Sequence, residues 1–234
     1  MKKKTLIKSI LLSVLLVLPN QIEAIQAAEP NNQQFIKKEK KEESIDGNYM
    51  IDHIFRKVDS VFVMDEKGND ITQYAKKVLK EKKSTDSVKE YLADNQWTLY
   101  MKKYSDNESS HLMGYSTYRN VSEVFVRYLK STSKGVPLVL EVGAELHGGV
   151  WTNENTGKVT AVSNPVFKIT YMNAGAGATI RTNNLSAGSY ITKGRGYFWG
   201  RCSFDGVFKV KGNGKNPTYV QGVTFGPMKV AMYS

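Results

Sequence analysis

The sequence predicts an α+β protein that is mainly β, with a small strand–helix–helix–strand unit followed by an antiparallel β-sandwich or barrel-like domain. Three observations carry this expectation. Apolar residues recur at helical spacing only between residues 71 and 92. Beyond residue 110 nearly every apolar run alternates with period two, the signature of strands with one packed face. Segments rich in Gly, Asn and Asp punctuate those runs at short intervals, as turns do in antiparallel sheets.

The first 28 residues read as a secretory signal. Lys2, Lys3, Lys4 and Lys8 form a basic head, residues 10–18 form an apolar run broken only by Ser13, and Pro19 ends it. Small residues at Ala27 and Ala28 supply the cleavage site, after one or the other. A bilayer-spanning helix needs about 20 apolar residues, twice what this run offers. No later run is long enough, so the expectation is a secreted extracellular protein, free or held peripherally at a cell wall. The lysine-rich head and the single cysteine give the chain a bacterial look. Residues 29–49 mix both charge signs with few apolar anchors and are expected to form a disordered leader, because they cannot bury enough surface to offset the entropy of ordering.

Residues 50–110 carry the α+β unit. The run Ser60-Val61-Phe62-Val63-Met64 predicts a strand, and Asp70 offers an N-cap to the helix behind it. There Ile71, Tyr74, Ala75, Val78 and Leu79 fall on one apolar stripe. Thr85 or Asp86 is the expected cap of a second helix bearing Val88, Tyr91 and Leu92. Alternation of Trp97, Leu99 and Met101 returns the chain to a strand.

Residues 111–234 carry the β domain. Val124, Val126 and Tyr128 share one face of a strand. Leu138, Leu140, Val142, Ala144 and Leu146 face a core, opposed by Val139, Glu141, Gly143, Glu145 and His147 on a face expected to be mostly wet. Further strands are predicted at residues 158–162, 166–172, 189–192, 196–204 and 207–211, and at 219–233 with a break near Gly226-Pro227. Asp205-Gly206 reads as a two-residue type I′ hairpin turn. The glycine-rich run 173–179 lacks the Gly-Lys-Ser/Thr of a phosphate loop and reads as a connection.

Charge is the most informative functional feature. Of the net +11, the segment 148–234 carries +8, from ten Lys and Arg against only Glu154 and Asp205. Such one-sided charge attracts anionic surfaces and polymers. The candidate binding residues are Trp151, Arg181, Lys193, Arg195, Arg201, Lys209 and Lys211. Tyr190, Tyr197, Trp199 and Tyr233 lie in the same segment, where aromatics beside bases suit sugar stacking, although sheet cores also favour aromatics. Catalytic signals are weak. Glu141, Glu145 and His147 share a strand face, but a catalytic zinc takes three ligands and a water, and no second cluster accompanies them. No Ser-His-Asp signature or cofactor motif is present, and no motif that reads nucleic acid bases. Cys202 reads as a small packed residue rather than a reactive thiol. The expected function is a non-enzymatic basic β module that binds cell-envelope or other anionic extracellular polymers, glycans or lipid surfaces. The alternatives are a secreted membrane-damaging or bacteriocin-like protein and, more weakly, a glycan hydrolase.

Overall fold

The computed structural model describes residues 45–56, 60–103, 110–112, 116–131, 138–175, 178–210 and 219–234. Ala27, Ala28, Lys211 and all but the last residues of the expected leader lie outside them. Helix α1 (Gly47–Ile54) begins within that expected leader. Asp46 caps it, its carboxylate accepting from Tyr49 N–H at 2.9 Å, and Met50, Ile51 and Ile54 bury its apolar stripe. That stripe and cap are visible in the sequence, but the charged run before them masks the change of character.

Strand β1 (Phe62–Met64), helices α2 (Thr72–Leu79) and α3 (Thr85–Asp94) and strand β2 (Thr98–Lys103) follow the predicted order. Asp70 accepts from the Thr72 N–H and hydroxyl, at 2.9 and 2.6 Å. Ser84, rather than Thr85 or Asp86, caps α3 by accepting from Ser87 N–H. Tyr74 departs from the expected stripe: it is exposed, with its ring 5.8 Å from that of Trp97.

Strands β3 (Ser110–Leu112), β4 (Ser116–Lys130), β5 (Val139–Asn153), β6 (Val159–Val162) and β7 (Val166–Asn173) join β1 and β2 in one antiparallel sheet. Its path runs β1-β2-β4-β5-β6, with β3 also on β4 and β7 also on β5. The sheet therefore crosses residue 110 through the β2–β4 pairing. Strands β8 (Ala178–Thr192), β9 (Arg195–Val210) and β10 (Tyr219–Tyr233) form a second sheet in the order β10-β9-β8. The two sheets pack as a sandwich, and the helices cover the far side of the first.

Strand β4 serves both cores. Val124, Val126 and Tyr128 join Ile54, Leu92 and Trp97 on the helical side, while Phe125 and Leu129 join Phe198, Phe204 and Phe225 between the sheets. Each fully buried phenylalanine contributes about 1.5–3 kcal/mol. Gly148 is a site of close packing, since a Cβ there would lie 2.2 Å from the Phe198 ring. Arg127 points into the sandwich from the same strand. It is fully buried and donates to the Lys229 carbonyl at 3.3 Å and to Gln96 Oε1 at 3.1 Å.

Two expectations fail for the same physical reason, tertiary satisfaction of polar groups. The face of β5 carrying Glu141 and Glu145 is buried, at 7% and 5% exposure, rather than wet. Asp205-Gly206 is no turn: both residues lie inside β9, paired with β8 and β10. Asn183 Nδ2 and the Thr224 hydroxyl donate to the Asp205 carboxylate, at 2.6 and 3.1 Å, so it is held cross-strand. The predicted break in β10 stands as a register shift between Phe225 and Met228.

Candidate binding face

The tight hairpin of the second sheet is Lys193-Gly194, with φ of 50° and 74°. Two consecutive positive φ values define the type I′ geometry that matches strand twist. This turn fixes the register on either side of it. Tyr190 falls opposite Tyr197, Gly188 opposite Trp199, and Ser186 opposite Arg201. Strand β10 completes each row with Tyr233, Ala231 and Lys229. Because Phe198, Cys202 and Phe204 point into the core, the alternate residues of β9 face outward.

The first row is a continuous aromatic strip. The Tyr190 and Tyr197 rings are parallel within 2°, with centroids 4.9 Å apart, and Tyr233 meets Tyr197 edge-on at 4.9 Å. Tyr190 is 52% exposed and Tyr233 47%. In the second row the Trp199 indole leans over β8. A Cβ on Gly188 would lie 2.5 Å from Cζ2, so only glycine admits this pose. In the third row the Arg201 guanidinium stands 5.6 Å from the Trp199 ring centroid, and its Nε donates to Ser186 Oγ at 2.9 Å. Lys229 is exposed beside it. Outward residues along a strand are about 7 Å apart and strands about 4.8 Å apart, so the three rows cover about 10 by 14 Å. Aromatic faces attract the polarised C–H groups of sugar rings, and the adjoining cations attract their acidic substituents.

The residues expected to bind are only partly brought together. Arg201 lies in the platform, and Arg181 lies farther along the same face opposite Asp205. Lys193 and Arg195 sit exposed at the β8–β9 turn. Lys209 holds a register position opposite Val220. Trp151 belongs elsewhere, on β5 of the other sheet, with its ring 4.8 Å from Tyr118. Tyr190 and Tyr197 become legible as a pair once Lys193-Gly194 is recognised as the turn, because they are equidistant from it.

The Glu141–Glu145–His147 strand face is an ion-pair lattice. Glu145 is pushed up by desolvation, but hydrogen bonds from Lys103 and Lys168, and the nearby His147, outweigh this and hold it at about 2. Lys103 Nζ lies 2.8 Å away and Lys168 Nζ 3.0 Å. Glu141 accepts from Gly47 N–H and the Tyr171 hydroxyl, both at 3.0 Å, with Lys89 at 3.6 Å. Glu145, held ionised by its lysines, is a poor proton donor. Among the described residues no group of three His, Cys, Asp or Glu side chains is arranged to hold a metal ion. No helix there is long and apolar enough to cross a membrane.

A cleft that the sequence did not announce opens beside Tyr233. It has a volume of about 350 Å³ and is lined by Lys102, Arg119, Ser122, Glu123 and Tyr233, among others. No protein-family model matches the chain, and comparison with curated proteins and with solved structures returns no match.

Proposed function

We propose that the chain is an exported, non-enzymatic binding module that uses the outer face of its second sheet to hold an acidic glycan or cell-wall polymer. The observation that carries this is the exposed strip Tyr190–Tyr197–Tyr233 with Trp199 and Arg201 beside it. Sugar rings lie over the aromatic strip, and acidic substituents reach Arg201, Lys229 and Arg181. The +8 charge of residues 148–234 brings the polymer to the face.

Retention on purified bacterial cell walls tests this reading. The wild-type chain is expected to bind, and salt to weaken binding without abolishing it, since exposed charge is screened while stacking is not. The Tyr197→Ala/Trp199→Ala variant is expected to lose about tenfold or more in affinity, each stacked ring contributing on the order of 1 kcal/mol. Unchanged retention of that variant would sink the proposal. Exposed Leu185 and Ile191 on strand β8 favour a second reading, attack on anionic membranes. Dye release from anionic vesicles, with no retention on walls, would select it instead.

A further inference from the structure

We infer that the cleft beside Tyr233 is a subsite for one carboxylate-bearing sugar unit of the polymer laid across the tyrosine strip, with Glu123 donating a hydrogen bond to that carboxylate. This rests on the reading of the platform as a glycan-binding face. The cleft lies at one mouth of the sandwich, between the end of β2, the first half of β4 and the end of β10. Tyr233 belongs to both features: it closes the aromatic strip and lines the cleft. A chain stacked on Tyr190 and Tyr197 therefore leads directly into it.

The chemistry of the lining selects an acid. Glu123 is only 6% exposed, and it lines the cleft next to Lys102, Ser122 and Tyr233. Burial raises its pKa to about 7, with Lys102 opposing. The carboxyl is thus a proton donor through the mildly acidic range. Lys102 and Arg119 supply positive charge, while Lys103, on the same rim, is engaged by Glu145. Arg119 reaches the Ser234 hydroxyl at 2.9 Å. With Glu123 neutral, one ligand carboxylate meets the two cations Lys102 and Arg119 with no acidic side chain opposing it. Ionised, Glu123 would cancel part of that positive charge and repel the ligand.

The groups that set its titration come from three directions. Tyr100 and Lys102 face it from β2, Tyr233 from β10, and Arg119 shares the cleft from its own strand. Asp70 and Asp65 act one step away, through Tyr100 and Tyr233 respectively.

Calorimetric binding of a short oligouronate and of its carboxyl-reduced, neutral counterpart tests the inference on the full chain. At about pH 5.5 the oligouronate is expected to bind about tenfold or more tighter than at about pH 8.5, the worth of one charge-assisted hydrogen bond. The neutral counterpart is expected to bind equally at both. Glu123→Gln, which keeps a donor without the charge, is expected to hold the tighter affinity at both pH values. Lys102→Ala is expected to weaken the oligouronate alone. Equal oligouronate affinity at the two pH values, or a pH dependence that survives Glu123→Gln, overturns the subsite. Loss of neutral-ligand binding in Tyr197→Ala/Trp199→Ala upholds the platform even if the subsite fails, so the two failures are distinguishable.

Discussion

Replacing Glu123 with glutamine measures what the fold gives up to keep a carboxyl between the sheets. In the unfolded chain this group titrates at its ordinary 4.5, and in the folded protein desolvation holds its proton to about 7. The native state therefore binds more protons than the unfolded state between these values, and stability falls as pH rises through them. The contribution is fully present below 4.5 and lost above about 7. The interval of about 2.5 pH corresponds to about 3 kcal/mol, which solvent at the open mouth of the cleft reduces to about 2 kcal/mol. Glu123→Gln removes this cost. Urea unfolding followed by circular dichroism is expected to show the variant about 2 kcal/mol more stable than wild type at about pH 8 and equal to it at about pH 4. A variant that is less stable at pH 8, or whose difference from wild type does not change with pH, would refute the assignment of a desolvated carboxyl.

Glu145 has the opposite sign. Its folded value of about 2 lies below the ordinary 4.5, so its stabilisation is present above 4.5 and lost as pH falls toward 2. Because Lys103 and Lys168 are half-exposed, Glu145→Gln is expected to cost about 1–2 kcal/mol at neutral pH and almost nothing near pH 2, measured by the same urea titration. Cys202 is buried between the sheets, and desolvation pushes its thiol up to about 12 despite the pull of Arg127. A disulfide exchange reagent at neutral pH is expected to leave it unlabelled in the native protein and to label it fully in denaturant; fast native labelling would count against a closed sandwich.

Much of the fold is legible in the sequence because strand alternation reports one packed face directly. Leu140 to Leu146 are read that way, and Gly226-Pro227 marks the shift in β10. What alternation does not report is whether the polar face is covered. Glu141 and Glu145 look solvent-facing on β5, and only the approach of α1, Tyr171 and the lysines buries them. The hairpin was misplaced because Asp-Gly has the stronger local propensity for a turn than Lys-Gly, and cross-strand hydrogen bonds to Asp205 override it. Strand β8 is mostly hidden for a different reason. As an edge strand with many half-exposed small and polar residues, Ala178–Thr192 carries little apolar period to detect. Glu123 had no local signal at all, since its burial is made by β2 and β10, which are distant in sequence.

Arg127 gives the exposed platform a mechanical footing. Its guanidinium grips the carbonyl of Lys229, a residue whose side chain faces outward, and also grips Gln96 at the exit of α3. The strand that presents Lys229 and Tyr233 is thereby tethered from within to the opposite layer. A surface braced in this way has little freedom left to surrender when a polymer settles on it, so its few contacts are spent on attraction rather than on ordering the protein.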